Sequence, residues 1–273
     1  MTESNGAVFS KLLKLILWAI GLGFVVLTAY MALFLRSGDQ YELQSTALNE
    51  TRNYSVYLPK GYDPSEQYPV VYSLDGEKYR HSAIFAANAR MMAALGFAPD
   101  TIVVAVHTMG MRGRDYRPSF GAEAFVSFLE RELIPQVEQA YPTSDKRVLS
   151  GHSFGGLFAL YAMTTRPNLF EAYFAYDPSV LRDDALMSRL SSLANVHLRN
   201  PVSLYMNYGF HTERYEARYR DMVQVIASQL SDSVRVESSY YPLPHSMIML
   251  PGQIEAMGFA AGGDEIQPQK KAR

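Results

Sequence analysis

The strongest feature of the hydrophobic pattern lies at the start of the chain. Leu15 to Leu35, "LILWAIGLGFVVLTAYMALFL", runs 21 residues without a charge. A helix needs about 20 apolar residues to cross the hydrocarbon core of a bilayer. Trp18 and Tyr30 lie towards the two ends, where amphipathic rings favour the interface. Lys11 and Lys14 precede the segment and Arg36 follows it. The competing reading is a cleaved secretory signal. Such signals carry shorter apolar regions, about 7–15 residues, ending at a small-residue cleavage site. Here the nearest candidate residue, Ala32, has the bulky Tyr30 two places before it. The pattern therefore predicts an uncleaved anchor, with the basic side in the cytoplasm and the remaining chain periplasmic or extracellular.

Beyond residue 36 the pattern changes. Residues 36–50, "RSGDQYELQSTALNE", read as a polar exit from the membrane. "NYSVYLP" then alternates at period two, and "YPVVYSLDG" is a β-branched and aromatic run closed by a turn at Asp75-Gly76. Residues 81–96 read as a helix, and "TIVVAV" as a strand buried on both faces. Phe125, Phe128, Leu129 and Leu133 fall at amphipathic helical spacing in "GAEAFVSFLERELIPQVEQAY", with a kink or break expected at Pro135. "RVLSG" is a strand and "FGGLFALYAMTT" a helix. "EAYFAYD", "VSLYMNYG" and "SVRVESSYY" are further strands, separated by helices around 183–195 and 212–230, and a last helix follows His245. Such βα alternation predicts an α/β domain: a mostly parallel sheet with helices on both faces, preceded by one transmembrane helix. The expected organisation is a cytoplasmic tip and anchor at 1–36, one domain at 37–262 and a flexible tail at 263–273.

Composition narrows the chemistry. At 48% hydrophobic and 19% charged residues, the chain has an ordinary capacity to bury a core. A net charge of −2 predicts no nucleic-acid partner. No cysteine is present, which excludes disulfides, thiolate nucleophiles and zinc–thiolate sites. No metal or organic cofactor is expected.

Within this frame, Gly151-His152-Ser153-Phe154-Gly155 fits G-x-S-x-G. Alone the motif is weak, and the competing reading is a glycine-rich turn with an incidental serine. Its setting matters more: it follows a short apolar strand and opens an Ala/Leu-rich helix, as a nucleophile elbow requires. Ser153 is therefore the candidate nucleophile. It needs a base, and only His197, His211 and His245 follow it. His245 comes just after the last strand, in a loop returning to the carboxyl edge of the sheet, and is the preferred base. For the acid, Glu213 is preferred, in "MNYGFHTERYEAR"; Asp177 in "YFAYDPSV" and Glu216 remain alternatives. Any of the three could instead serve a helix start. The oxyanion hole is expected from the backbone N–H of Phe154 and that of Gly76 or Glu77.

Several blocks together carry a family resemblance. These are "YSVYLPKGYDPSEQYPVVYSLDGEKY", "MRGRDYRP" and "FLERELIPQVEQAYPTSDKRVLSGHSFGGLFALYAMTTRPNLFEAYFAYDPS". From about residue 41 to 260 the chain resembles the putative-esterase family of α/β-hydrolases, which includes siderophore esterases and esterase D-type enzymes. The resemblance implies Ser153 as nucleophile, His245 as base and an acid near Glu213. It implies a serine esterase that cleaves a small-molecule carboxylic ester through an acyl-enzyme. An acyltransferase of the same fold and a non-catalytic binding protein are the alternatives. The chain departs from the family where Val180 and Leu181 replace tryptophans and where "HSMIM" replaces H-G-S-V. In "RGRDYR", Arg112, Arg114 and Arg117 are weighed between binding an anionic substrate and forming a solvated basic loop around a paired Asp115. Arg114 and Tyr116 stand as candidate substrate contacts.

Overall fold

The computed structural model describes residues 2–77, 81–196, 198–230 and 232–262, with side chains from Leu12 onward. His197 and the tail at 263–273 lie outside the described residues, as does Met1 of the cytoplasmic tip. The chain opens with helix α1 (Thr2–Phe34) and continues through β1 (Asp39–Ser45), β2 (Glu50–Tyr57), β3 (Tyr68–Leu74), α2 (His81–Ala94) and β4 (Ile102–Val106). A short α3 (Arg112–Asp115) leads to α4 (Ala122–Phe128) and α5 (Ile134–Ala140), joined by a π-helical turn at Leu129–Leu133. There follow β5 (Thr143–His152), α6 (Phe154–Thr165), β6 (Ala172–Tyr176), α7 (Leu186–Leu193), β7 (Val202–Tyr208), α8 (Glu213–Gln229), β8 (Val234–Tyr240) and α9 (Met249–Ala260).

The strands form one sheet in the order β1-β2-β4-β3-β5-β6-β7-β8. From β4 to β8 every pairing is parallel, whereas β1–β2 and β2–β4 are antiparallel. α2 and α9 cover one face, and α4 to α8 the other, giving two apolar layers. This explains the unbroken apolar runs: every residue of β4 and of β6 is buried, because each strand is covered on both sides.

One expectation is corrected and another located. The polar exit at 36–50 contains a strand, β1, paired along its length with β2. Tyr41 and Leu43 alternate with polar neighbours, Leu43 packing on the core and Tyr41 stacking on Tyr54, but two apolar positions in a polar stretch are a weak period. The irregularity expected around Pro135 is present just ahead of it, where a π-helical turn at Leu129–Leu133 separates α4 from α5. The proline has no N–H to offer, and the π-helical turn immediately before it absorbs the irregularity in backbone bonding.

α1 is long and apolar enough, by length and composition, to cross a membrane. Its Leu12–Phe34 stretch has a mean hydropathy of 2.2. Its last turns dock on the domain: Tyr30 Oη donates to Asn88 Oδ1 at 2.7 Å, and Arg90 Nη1 donates to the Phe34 carbonyl at 3.0 Å.

The loop after β4 is held by buried charge. Arg52 Nη2 lies 2.6 Å from both Asp115 Oδ2 and Glu50 Oε1, and Arg114 Nη2 closes the network on Glu50 and Asp115 at 2.5 and 2.7 Å. Asp115 is fully buried, so removing it leaves the equally buried Arg52 short of a counter-charge. Such a loss costs about 3 kcal/mol or more, against under about 1 kcal/mol for an exposed pair such as Glu123–Arg166. Chemical denaturation should therefore show Asp115→Ala far less stable than Glu123→Ala; equal losses would contradict the reading.

Candidate active site

β5 is the central strand that delivers the serine. Ser153 follows it at φ 62°, ψ −114°, a region disfavoured for any side chain, and α6 starts at the next residue. Strain of this kind costs on the order of 1–3 kcal/mol and persists only where packing imposes it. The packing is visible at Gly151, where a Cβ would lie 2.4 Å from the backbone of Gly155. Strand and helix can cross this closely only without a side chain there. The turn is further held by Ser153 N–H donating to the Tyr176 carbonyl and Ser179 N–H donating to that of Ser153. Ser153 Oγ lies 3.3 Å from Ser179 Oγ.

The carboxylate on His245 belongs to Asp177, which corrects the preference for Glu213. His245 Nδ1 lies 2.7 Å from Asp177 Oδ2. A carboxylate only accepts, so Nδ1 carries the proton and Nε2 of the neutral ring is left as the acceptor. Asp177 sits one residue past β6 at φ 43°, with its N–H donating to the Asn207 carbonyl at 2.9 Å. Its other oxygen accepts from His211 Nε2 at 2.6 Å and from Tyr215 Oη at 3.0 Å. Glu213 is exposed in the first turn of α8, and Glu216, partly buried, pairs with Arg220 at 3.7 Å. Both lie in the first turn of α8, but the side chain that accepts from a first-turn N–H is that of Thr212. Burial alone would raise the Asp177 carboxyl, but the hydrogen bond from His245 and the proximity of His211 outweigh it and hold it below its usual range.

Reading from sequence missed two participants. His211 stacks on Tyr215, with ring centroids 3.7 Å apart, and forms a second imidazole contact to Asp177. Its only signal was a histidine just before a capped helix. His152, the variable residue of the elbow, packs on His245 with ring centroids 4.4 Å apart, and its Nε2–H donates to the His245 carbonyl at 2.8 Å. Burial and the neighbouring His245 push its pKa down to about 4. Asp177, His211 and His245 have donor atoms within 4.8 Å of one another and form a candidate cation set. Tetrahedral ligands about 2.0–2.1 Å from zinc lie roughly 3.3 Å apart. The observed contacts of 2.6 and 2.7 Å are those of hydrogen bonds.

The remaining expected positions divide. Phe154 N–H, the first amide of α6, donates to no acceptor among the described residues. Gly76 N–H is taken by the Val106 carbonyl at 2.9 Å, so it is not free to face an oxyanion. Its glycine answers crowding instead: a Cβ would meet His107 at 2.6 Å and the backbone of Ala105 at 2.8 Å. Glu77 is at the surface, with its carboxylate accepting from Thr108 Oγ1 at 2.6 Å. Arg114 and Tyr116 are not free to contact a substrate. Arg114 is ion-paired to Glu50 and Asp115, and Tyr116 is fully buried with its hydroxyl accepting from Asp75 N–H. Arg112 clamps Asp75 and the His152 carbonyl. Arg117 has no ion pair among the described residues, and its guanidinium lies 4.4 Å from the Phe120 ring centroid and 6.0 Å from that of Phe154.

A parallel sheet with a strained serine at its central strand–helix turn, and a carboxylate-bound histidine beside it, defines the α/β-hydrolase class of fold. Residues 45–235 match the family described as "Putative esterase", and the chain belongs to that family, whose chemistry is ester hydrolysis. It is 24% identical over 230 residues to the ferri-bacillibactin esterase BesA of Bacillus subtilis, covering 71% of this chain and 78% of that protein. It is 35% identical over 131 residues to a siderophore triacetylfusarinine C esterase of Aspergillus fumigatus, covering 41% and 44%. Among solved structures, an IroE-like serine hydrolase from Shewanella oneidensis superposes with a TM-score of 0.75 at 28% identity, covering 82% of this chain and 80% of that one.

The low pKa of His152 has a consequence for stability. Between about 6.5, its ordinary value, and about 4, the unfolded chain binds a proton that the folded protein refuses. Its contribution therefore makes stability fall as pH drops through that window. Asp177, depressed from an ordinary carboxylate value, loses its contribution only at lower pH. In His152→Gln, thermal melts between pH 7 and about 4.5 should show a shallower decline; an unchanged decline would refute the assignment.

Proposed function

We propose that this protein is a serine esterase acting through an acyl-enzyme on Ser153. The observation that carries the proposal is the contact of His245 Nδ1 with the buried Asp177 carboxylate, beside a serine held in a strained elbow. His245 Nε2 takes the Ser153 proton as Oγ attacks the ester carbonyl, and Asp177 stabilises the imidazolium so formed. Phe154 N–H, with the Glu77 amide as second donor, receives the negative charge on the carbonyl oxygen. The alcohol leaves with the proton from His245; a water activated by the same nitrogen then releases the acid. In the resting geometry Ser153 Oγ is paired with Ser179 Oγ, so attack begins with a turn of the serine side chain.

The activities named for the relatives place siderophore esters first among substrates to be tried. The segment after β6 departs from the family resemblance, since Val180 is buried and Leu181 exposed where tryptophans would be expected. Arg117, on Phe120 and Phe154, is the cation best placed for an anionic part of the substrate. α1 anchors the enzyme in a membrane, with Lys11 and Lys14 on the cytoplasmic side and the hydrolase domain outside.

Turnover of p-nitrophenyl acetate separates the assignments. Ser153→Ala should abolish it, and Asp177→Asn should lower kcat by about 10²–10⁴-fold, as loss of the orienting carboxylate does elsewhere. Glu213→Gln should stay within about threefold of wild type, as an exposed residue outside the contact chain. A large loss only in Glu213→Gln would overturn the choice of acid.

A further inference from the structure

The anchor helix and the active site occupy the same end of the molecule. The His81 ring, at the first residue of α2, lies 6.4 Å from the His152 ring, so α2 starts beside the catalytic serine and runs away from it. α1 lies alongside in the same direction. Tyr30 reaches Asn88, and Phe34, one turn later, reaches Arg90. Leu27, one turn earlier, lines a gap of about 540 Å³ together with Ile84 and with Leu250 at the start of α9. Residues of α1 before Leu27 therefore continue past the active-site end of the sheet rather than away from it.

Length turns this direction into a constraint. A bilayer core is about 30 Å thick, yet Leu15 to Val26, the uncharged part clear of the domain, spans only about 18 Å at 1.5 Å per residue. The missing ~12 Å must come from the turns that lie against α2 and α9. Lipid then covers the ends of those helices nearest the active site, where Ile84, Leu250, Pro251 and Ile254 already present an apolar wall.

The loops at this end are suited to such contact. Met109, Phe120, Leu181, Phe210 and Met247 follow β4, β6, β7 or β8 and are large apolar side chains left exposed, Phe120 by 65% and Phe210 by 60%. The opposite end of the sheet has fewer, with Leu95 and Phe97 exposed in the turn after α2 and Val196 after α7. A patch drawn from several separate loops marks an interaction surface more than scattered apolar residues do.

We propose that the mouth of the active site faces the bilayer, with the loops after β6, β7 and β8 seated in the headgroup layer. The proposal rests on the reading of α1 as a membrane span. Because the chain has no cysteine, single reporters can be placed without background. Full-length Leu22→Cys, Phe210→Cys, Met247→Cys and Asp100→Cys variants would each be labelled with a nitrobenzoxadiazole thiol reagent and placed in phosphatidylcholine nanodiscs. Quenching by spin-labelled lipid should reduce emission at 22, 210 and 247 by at least about twofold and leave 100, at the far end of the sheet, unaffected. Quenching at 22 with none at 210 and 247 would overturn the proposal and leave the anchor standing. No quenching at 22 would overturn both.

Discussion

The site depends on one buried carboxylate with three donors. Asp177 is shielded from water, and a bare charge there would be costly, so its oxygens must be filled. His245, His211 and Tyr215 fill them, and each comes from a different part of the chain after β7 or β8. The carboxylate thus collects the His245 loop, the segment before α8 and α8 itself at the end of β6. Asn207 reinforces this from beneath, holding the Asp177 backbone through its carbonyl and donating its side-chain amide to the Ile248 carbonyl. Whatever disturbs Asp177 therefore disturbs both the orientation of the base and the start of α9.

The serine side of the site is held by sterics. Gly151 lets α6 cross β5 at backbone contact, and this crossing forces the serine into its strained conformation. His152 links the two halves, because its ring packs on His245 while its Nε2–H holds the His245 carbonyl. It does so as a neutral group at physiological pH, so it adds no positive charge beside the base.

Much of this was legible in the sequence, for physical reasons that differ by residue. Ser153 was legible because an elbow needs glycines at fixed offsets, and His245 because few histidines follow. Strands covered on both faces announced themselves as apolar runs. The acid was not legible: Asp177 and Glu213 each follow a strand, and only the positive φ at Asp177 and the packing of α8 decide which one turns inward. Gly76, Arg114 and Tyr116 misled because local motifs do not reveal whether a donor is already satisfied within the fold. Strand β1 was hidden because only Tyr41 and Leu43 carry its apolar period, in a stretch that is otherwise polar and mostly exposed.

The central claim is that the imidazole fixed by Asp177 activates Ser153. The most direct measurement is the rate of covalent labelling by a fluorophosphonate, with the modified residue identified by peptide mass spectrometry. The adduct should sit on Ser153 and form rapidly in the wild-type protein. In Asp177→Asn the adduct should form on the same serine at least about 100-fold more slowly. An adduct on another residue, or an Asp177→Asn variant labelled at the wild-type rate, would contradict the account.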